Sequence, residues 1–203
     1  YIIDLSDFFS KCTFKPFIDR TVRAIKVKGH LSKGFHEKLL DFAKYIGMGG
    51  LGYLEVQEDL SFKGPIDKFI PDELKQDLLQ LANLEKEDTI FFIADSEKRA
   101  TELAGQIRDE LGNRLNLIDG NTFEFCWIND FPMFELDERN NLQFSHNPFS
   151  MPQGGLESLN TQNSLDILAY QYDIVCNGIE LSSGAVRNHD INVMLKAFTM
   201  AGY

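Results

Sequence analysis

The chain has 203 residues, 43% of them hydrophobic and 25% charged, the composition of an ordinary globular protein with one large domain or two small ones. A formal net charge of −11 is a poor footprint for a surface whose main task is to grip a nucleic-acid backbone, and no apolar run approaches the roughly 18 residues of a membrane span. Cys12, Cys126 and Cys176 are scattered, with no Cys-x-x-Cys pair, which argues for reduced thiols in the cytoplasm over a disulfide framework or a zinc site.

In chain order, Val22–Lys28 sets Ile25 and Val27 against Lys26 and Lys28, the alternation of a half-buried strand. Phe35, Leu39, Phe42, Ala43 and Ile46 then recur at helical spacing, with Ser32 near the start and Gly47 just past the end. Met48-Gly49-Gly50 turns the chain into a second strand, Leu51–Gln57. Pro71-Asp72-Glu73 opens another helix, because proline is tolerated in a first turn and acids suit the N-terminal end of the helix dipole. Leu74, Leu78, Leu79 and Leu81 supply its apolar face. Thr89–Ala94 (TIFFIA) is a continuously apolar strand, and Ser96 is placed to cap an amphipathic helix running to about Leu115. The fold class predicted for this half is α+β, a two-layer unit with a sheet and helices on one face.

From about Asn121 the texture changes, which places a domain boundary at Asp119–Asn121 and predicts domains at 1–120 and 121–203. Strand-like stretches follow at Phe123–Phe134, Gln143–Phe149 and Tyr170–Arg187, with a polar loop expected over Gln153–Ser164. Val193–Phe198 reads as a helix; since the chain starts on Tyr1 and stops just after this run, a piece of a longer protein is expected. The four histidines show no metal-ligand spacing; His30, His36 and His189 read as surface or capping residues, and Trp127 as core.

The stretch YDIVCNGIELSSGAVRNHD, residues 172–190, carries the chemistry. Asn177-Gly178 is the strongest short-range signal for a two-residue type I′ hairpin. That turn pairs Cys176 with Ile179, Val175 with Glu180, Ile174 with Leu181 and Asp173 with Ser182. Asp173 and Glu180 then share one face as diagonal cross-strand neighbours, roughly 7–8 Å apart. Two carboxylates so placed suit a shared hard cation such as Mg2+ together with phosphate oxygens. Arg187 falls on the wrong face by strict alternation, so a β-bulge or kink is expected within Ser182-Ser183-Gly184. From spacing alone, a solvated charged face stands as the alternative to a ligand site.

FPMFE (131–135), HNPF (146–149) and YDIVCNGIELSSGAVRNH (172–189), in this order and spacing, closely resemble bacterial-type aspartyl-tRNA synthetase, a class II enzyme. VRAIKVKG (22–29), KYIGMGGLGYLEV (44–56) and DTIFFIADS (88–96) resemble its inserted GAD domain, a module shared with tRNA-dependent amidotransferases. The resemblance covers essentially the whole chain. It implies a GAD-type insertion domain followed by part of the class II antiparallel sheet, with aspartate, ATP, Mg2+ and tRNA as ligands and a cytoplasmic homodimer as the parent enzyme. It also implies roles: His146 contacts aspartate, Arg187 grips the aspartate side-chain carboxylate, Glu180 stands at the ATP site and helps hold Mg2+, and Asp173 is its metal-binding companion. Asn147 stands where many relatives have a second histidine, and Ser182-Ser183-Gly184 where many have three glycines.

Under that resemblance the stretch lacks an anticodon-binding domain, the motif with the ATP-gripping arginine before the insertion, and the closing Gly-rich motif. The 203 residues alone are therefore expected to be inactive in aminoacylation. Whether tRNA-Asn is charged as well as tRNA-Asp is not legible here. An alternative of a different class is a non-catalytic GAD-type docking module for tRNA or protein, as in the amidotransferases. A docking module has no need for His146, Asp173, Glu180 and Arg187 to converge, whereas a ligase does.

Overall fold

In the computed structural model, which describes residues 1–203, the apolar run at Thr89 becomes the middle strand of a five-stranded antiparallel sheet. The elements of this unit, Tyr1–Asp119, are β1 (Ile2–Asp4), α1 (Ser6–Phe9), β2 (Thr21–Val27), α2 (Lys33–Tyr45), β3 (Gly52–Val56), β4 (Phe62–Lys63), α3 (Asp72–Leu81), β5 (Thr89–Asp95) and α4 (Glu97–Arg114). Strand order is β1-β2-β5-β3-β4, and every neighbour is antiparallel. Both faces of this sheet are covered. Val22, Ala24, Ile90 and Phe92 face a cluster completed by α1 and α3, while Ile25, Val27, Phe91 and Ile93 face one built from α2 and α4. Helices were expected on one face; the second layer explains why TIFFIA is apolar without alternation, since a strand buried on both faces has no solvent side.

Local signals act as the sequence suggests, with one exception. The Ser32 hydroxyl accepts from the Phe35 N–H at the start of α2, and Gly47, at φ +89°, ends it in the left-handed region that glycine adopts freely. Ser96 occupies the N-cap position of α4 but makes no side-chain capping bond. His36 is not a surface residue. Its ring stacks on Tyr53 at 3.9 Å, and Nε2 lies 3.1 Å from the Glu55 carboxylate, tying α2 to β3. Burial, reinforced by the Glu55 charge, raises the Tyr53 phenol above its ordinary pKa.

Asp88, at the entrance to β5, is wholly buried. Its Oδ2 accepts from the Glu85 N–H at 2.8 Å, and Lys28 and Lys26 approach its carboxylate to 3.2 and 3.5 Å. Removing it leaves the Glu85 N–H without its acceptor and takes one carboxylate from Lys26 and Lys28, which keep the Asn83 carbonyl and the Glu85 carboxylate, so Asp88→Ala is expected to cost about 1–2 kcal/mol, with Asp88→Asn losing about half as much because its amide oxygen still accepts from Glu85. Urea unfolding followed by circular dichroism checks this; equal losses for the two variants would count against it.

The second unit, Gly120–Tyr203, contains β6 (Phe125–Pro132), β7 (Phe134–Leu136), β8 (Leu142–Phe144), α5 (Gly155–Thr161), β9 (Leu168–Cys176), β10 (Ile179–Ala185) and α6 (Ile191–Met200). β10, β9 and β6 form an antiparallel sheet with β9 central, and β7 pairs with β8. Met133, Phe134, Leu159, Ile167, Ala169, Val193 and Ala197 make its core. The Asp190 carboxylate caps α6 by accepting from the Asn192 and Val193 N–H groups. Two expectations fail here. Gln153–Ser164 is not a loop throughout but holds α5, fixed by the burial of Leu159, and Trp127 is not core but 65% exposed on the sheet. No helix is long and apolar enough to cross a membrane, and all three cysteines are free.

Candidate functional site

The β9–β10 hairpin turns at Asn177-Gly178 with φ of 50° and 82°, both positive as a type I′ turn requires. Asn177 also braces the turn from its side chain: Oδ1 accepts from the Glu124 N–H, and Nδ2 donates to the Thr122 carbonyl. Pairing begins as predicted, Ile179 with Cys176 and Glu180 with Val175. It then shifts. Leu181 is an extra residue, so Ser182 pairs with Ile174 and Ser183 with Asp173, and the register stays regular to Ala185–Gln171.

The expected bulge within Ser182-Ser183-Gly184 is therefore wrong in position; the irregularity lies between Glu180 and Ser182. Its effect on parity is the one Arg187 needed. Beyond the bulge, residues 183, 185 and 187 fall on the face of Asp173 and Glu180, and Ser183 takes the place expected for Ser182. Beyond β10 the chain is stitched to the loop after the HNPF turn: Met151 N–H donates to Val186 O and Asn188 N–H to Phe149 O, both at 2.8 Å, around a Ser150–Arg187 bridge.

A second irregularity supplies the opposite wall. Between Asn129 and Phe131, Asp130 alone stands opposite Tyr170 and Gln171, and it adopts φ 57°. Alternation from Ile128 would put Asp130 in the site; the shift delivers Phe131 instead. The Phe131 ring then packs edge-on against His146 at 4.9 Å.

These elements enclose a cavity of about 420 Å³ whose lining includes His146, Asp173, Glu180 and Arg187 together with Phe131 and Gln171. All four residues singled out in the sequence thus line one concavity. Asn147, Ser183, Gly184 and Ala185 line it as well. Gln171 is buried and donates to the Asn147 carbonyl at 3.4 Å, while the Asn147 side chain accepts from the Phe149 N–H. Gln171 was legible in principle, since it lies two residues before Asp173 on the same strand face; Phe131 was not, because its placement depends on the shift at Asp130.

Chemically the cavity offers two carboxylates, one guanidinium and one imidazole. No cluster of three or more His, Cys, Asp or Glu side chains that could hold a metal gathers anywhere in the chain. Asp173 and Glu180 alone are hard oxygen donors with too few atoms for a closed site. That set suits Mg2+, which keeps waters and substrate phosphate oxygens in its shell, and it does not suit zinc.

Residues 17–104 match the GAD domain, and that fold accounts for the first unit. The whole chain is similar to aspartate–tRNA(Asp/Asn) ligases: 50% identical to that of Ehrlichia chaffeensis, 47% to that of Anaplasma phagocytophilum and 45% to that of Rickettsia felis, each covering 100% of this chain. The chain spans about a third of those relatives' length, 36%, 35% and 36%. A GAD domain joined to an antiparallel synthetase sheet defines the class of protein. Over its whole length the chain is similar to a segment of the aspartate–tRNA(Asp/Asn) ligases, consistent with a fragment of the synthetase that holds the GAD insertion domain and part of the synthetase sheet.

Proposed function

We propose that the second unit, residues 121–203 by the sequence boundary, carries part of the amino-acid-activating site of a cytoplasmic, homodimeric aspartate–tRNA ligase, which joins aspartate to ATP and then to the 3′ end of tRNA. The observation that carries this reading is the convergence of His146, Asp173, Glu180 and Arg187 on one cavity, which a docking module would not need. Arg187 offers a planar fork to the aspartate side-chain carboxylate, and His146, backed by the Phe131 ring, orients the amino acid beside it. Asp173 and Glu180 would hold Mg2+, which would supply neutralisation of phosphate charge on ATP. The aspartate α-carboxylate attacks the α-phosphorus in line, pyrophosphate leaves, and the acyl group then passes to tRNA. Catalysis of this kind rests on position and charge, with no protein nucleophile. The relatives are named for both tRNA-Asp and tRNA-Asn, and we extend both acceptors to the parent of this chain.

Two proteins test the reading. The isolated 203-residue chain is expected to show no ATP–pyrophosphate exchange above background, because two acids, an arginine and a histidine do not close around ATP. A chimera in which residues 121–203 replace the corresponding segment of the Ehrlichia chaffeensis ligase is expected to restore aspartate-dependent exchange. Exchange by the isolated chain would refute the first expectation; a folded chimera that binds ATP but never activates aspartate would refute the assignment.

A further inference from the structure

The loop Met48-Gly49-Gly50-Leu51, between α2 and β3, separates two cavities of the GAD unit that the proposed activity does not use. The first, about 510 Å³, is walled by the rings of Phe14, Phe17 and Phe92 with Ile66, and Arg20 stands in its lining. The second carries Lys44 and Lys63, and Gly49, Gly50 and Pro65 line both. Arg20, Lys44 and Lys63 are exposed and have no ion-pair partner, in a protein of net charge −11. The two acids of these cavities are already engaged: Asp95 faces Arg99 at 3.4 Å and accepts from the Ser96 N–H, and Glu55 faces His36. The Gly49 and Gly50 N–H groups have no acceptor in the fold, and no atom stands within 4 Å of where a Cβ on either would lie.

Free amides without side chains, with Arg20 in the cavity on one side of the loop and Lys44 and Lys63 in the cavity on the other, and adjoining an aromatic chamber, describe a ligand with two parts. Three positive charges match a phosphomonoester, at nearly two negative charges near neutral pH, better than a carboxylate. The chamber has the size and lining of a small-molecule site and takes a planar apolar body. We propose that this loop and the cavity lined by Phe14, Phe17 and Phe92 bind a small aromatic phosphomonoester, of the nucleoside- or aryl-monophosphate class, with the phosphate on the Gly49 and Gly50 amides and the ring laid in the cavity against the half-buried Phe14.

Residue-resolved amide NMR of the 203-residue chain, titrated with AMP, phenyl phosphate, adenosine and inorganic phosphate, tests this. AMP or phenyl phosphate is expected to shift the Gly49 and Gly50 signals saturably at millimolar concentration, with inorganic phosphate and adenosine each at least about tenfold weaker. Saturation by AMP but not phenyl phosphate identifies the nucleoside source of the ring, and equal saturation the general aryl class. Arg20→Glu and Lys63→Glu, both at exposed positions, are expected to weaken AMP by about tenfold each while leaving the dispersed spectrum intact. Unmoved Gly49 and Gly50 signals, shifts confined to residues 171–187, or inorganic phosphate binding as tightly as AMP would each overturn the proposal.

Discussion

In the Ehrlichia chaffeensis chimera, Arg187→Leu is expected to lower aspartate-dependent exchange about a thousandfold, a loss of roughly 4 kcal/mol in transition-state binding. Arg187 enters the cavity from a segment whose backbone is fixed on both sides, through the bonds of Val186 and Asn188 to residues 149–151, so its fork is presented at little entropic cost. Removing the guanidinium does more than delete two hydrogen bonds. The same cavity holds Asp173 and Glu180, so an aspartate side chain bound there without Arg187 would face two carboxylates and no lysine or arginine. Arg187→Lys keeps the charge but not the planar pair of donors and is expected to fall only about ten- to a hundredfold. Steady-state exchange kinetics against aspartate separate these outcomes. A loss below tenfold, or Lys and Leu falling alike, would remove Arg187 from aspartate recognition.

The hairpin shows how far sequence reaches. Asn177-Gly178 specifies its own turn chemically, because few other residue pairs accept two positive φ values, and Val175–Glu180 register follows from it. The bulge was inferred from need, since Arg187 could not otherwise meet Asp173, but small residues at 182–184 drew it to the wrong place. Leu181 carries no local mark of an extra residue; the pairing of β9 with both neighbours settles where the register slips. The shift opposite Asp130 likewise comes from tertiary fit, so Phe131 was unreadable as a wall of the site. Trp127 fails for a related reason. Alternation says which residues share a face of a strand, but not which face finds a partner, and in this chain the Trp127 face stays open. The helix over Gly155–Thr161 begins with two positive-φ glycines, Gly154 and Gly155, that read as loop; only the burial of Leu159 and Ser158 against the rest of the unit makes it a helix. TIFFIA, by contrast, was legible because the run is too short for a buried helix and is rich in β-branched and aromatic residues, which favour a strand covered on both faces.

The GAD unit should be most sensitive at Phe92, in the central strand of its sheet. Phe92 is 1% exposed and meets Phe9 edge-to-face at 5.1 Å and Phe17 at 6.2 Å, while Phe9 and Phe17 themselves lie 4.9 Å apart. Phe92→Ala leaves the other two rings facing a void that the flanking strands β2 and β3 cannot close without breaking their ladders to β5. The expected cost is about 3–5 kcal/mol, a large share of the total stability of a domain this size. Phe92→Leu retains most of the volume and is expected to lose about 1–1.5 kcal/mol. Each unit has its own core, and the single tryptophan, Trp127, belongs to the other one. Urea unfolding read by far-ultraviolet circular dichroism should therefore show the GAD transition moving to much lower denaturant in Phe92→Ala. Trp127 fluorescence should report a second transition at an unchanged midpoint. A shift of both signals together would mean that the two cores unfold as one cooperative unit, and a loss under about 1 kcal/mol would mean that the three-ring cluster is not what holds the sheet to its α1–α3 layer.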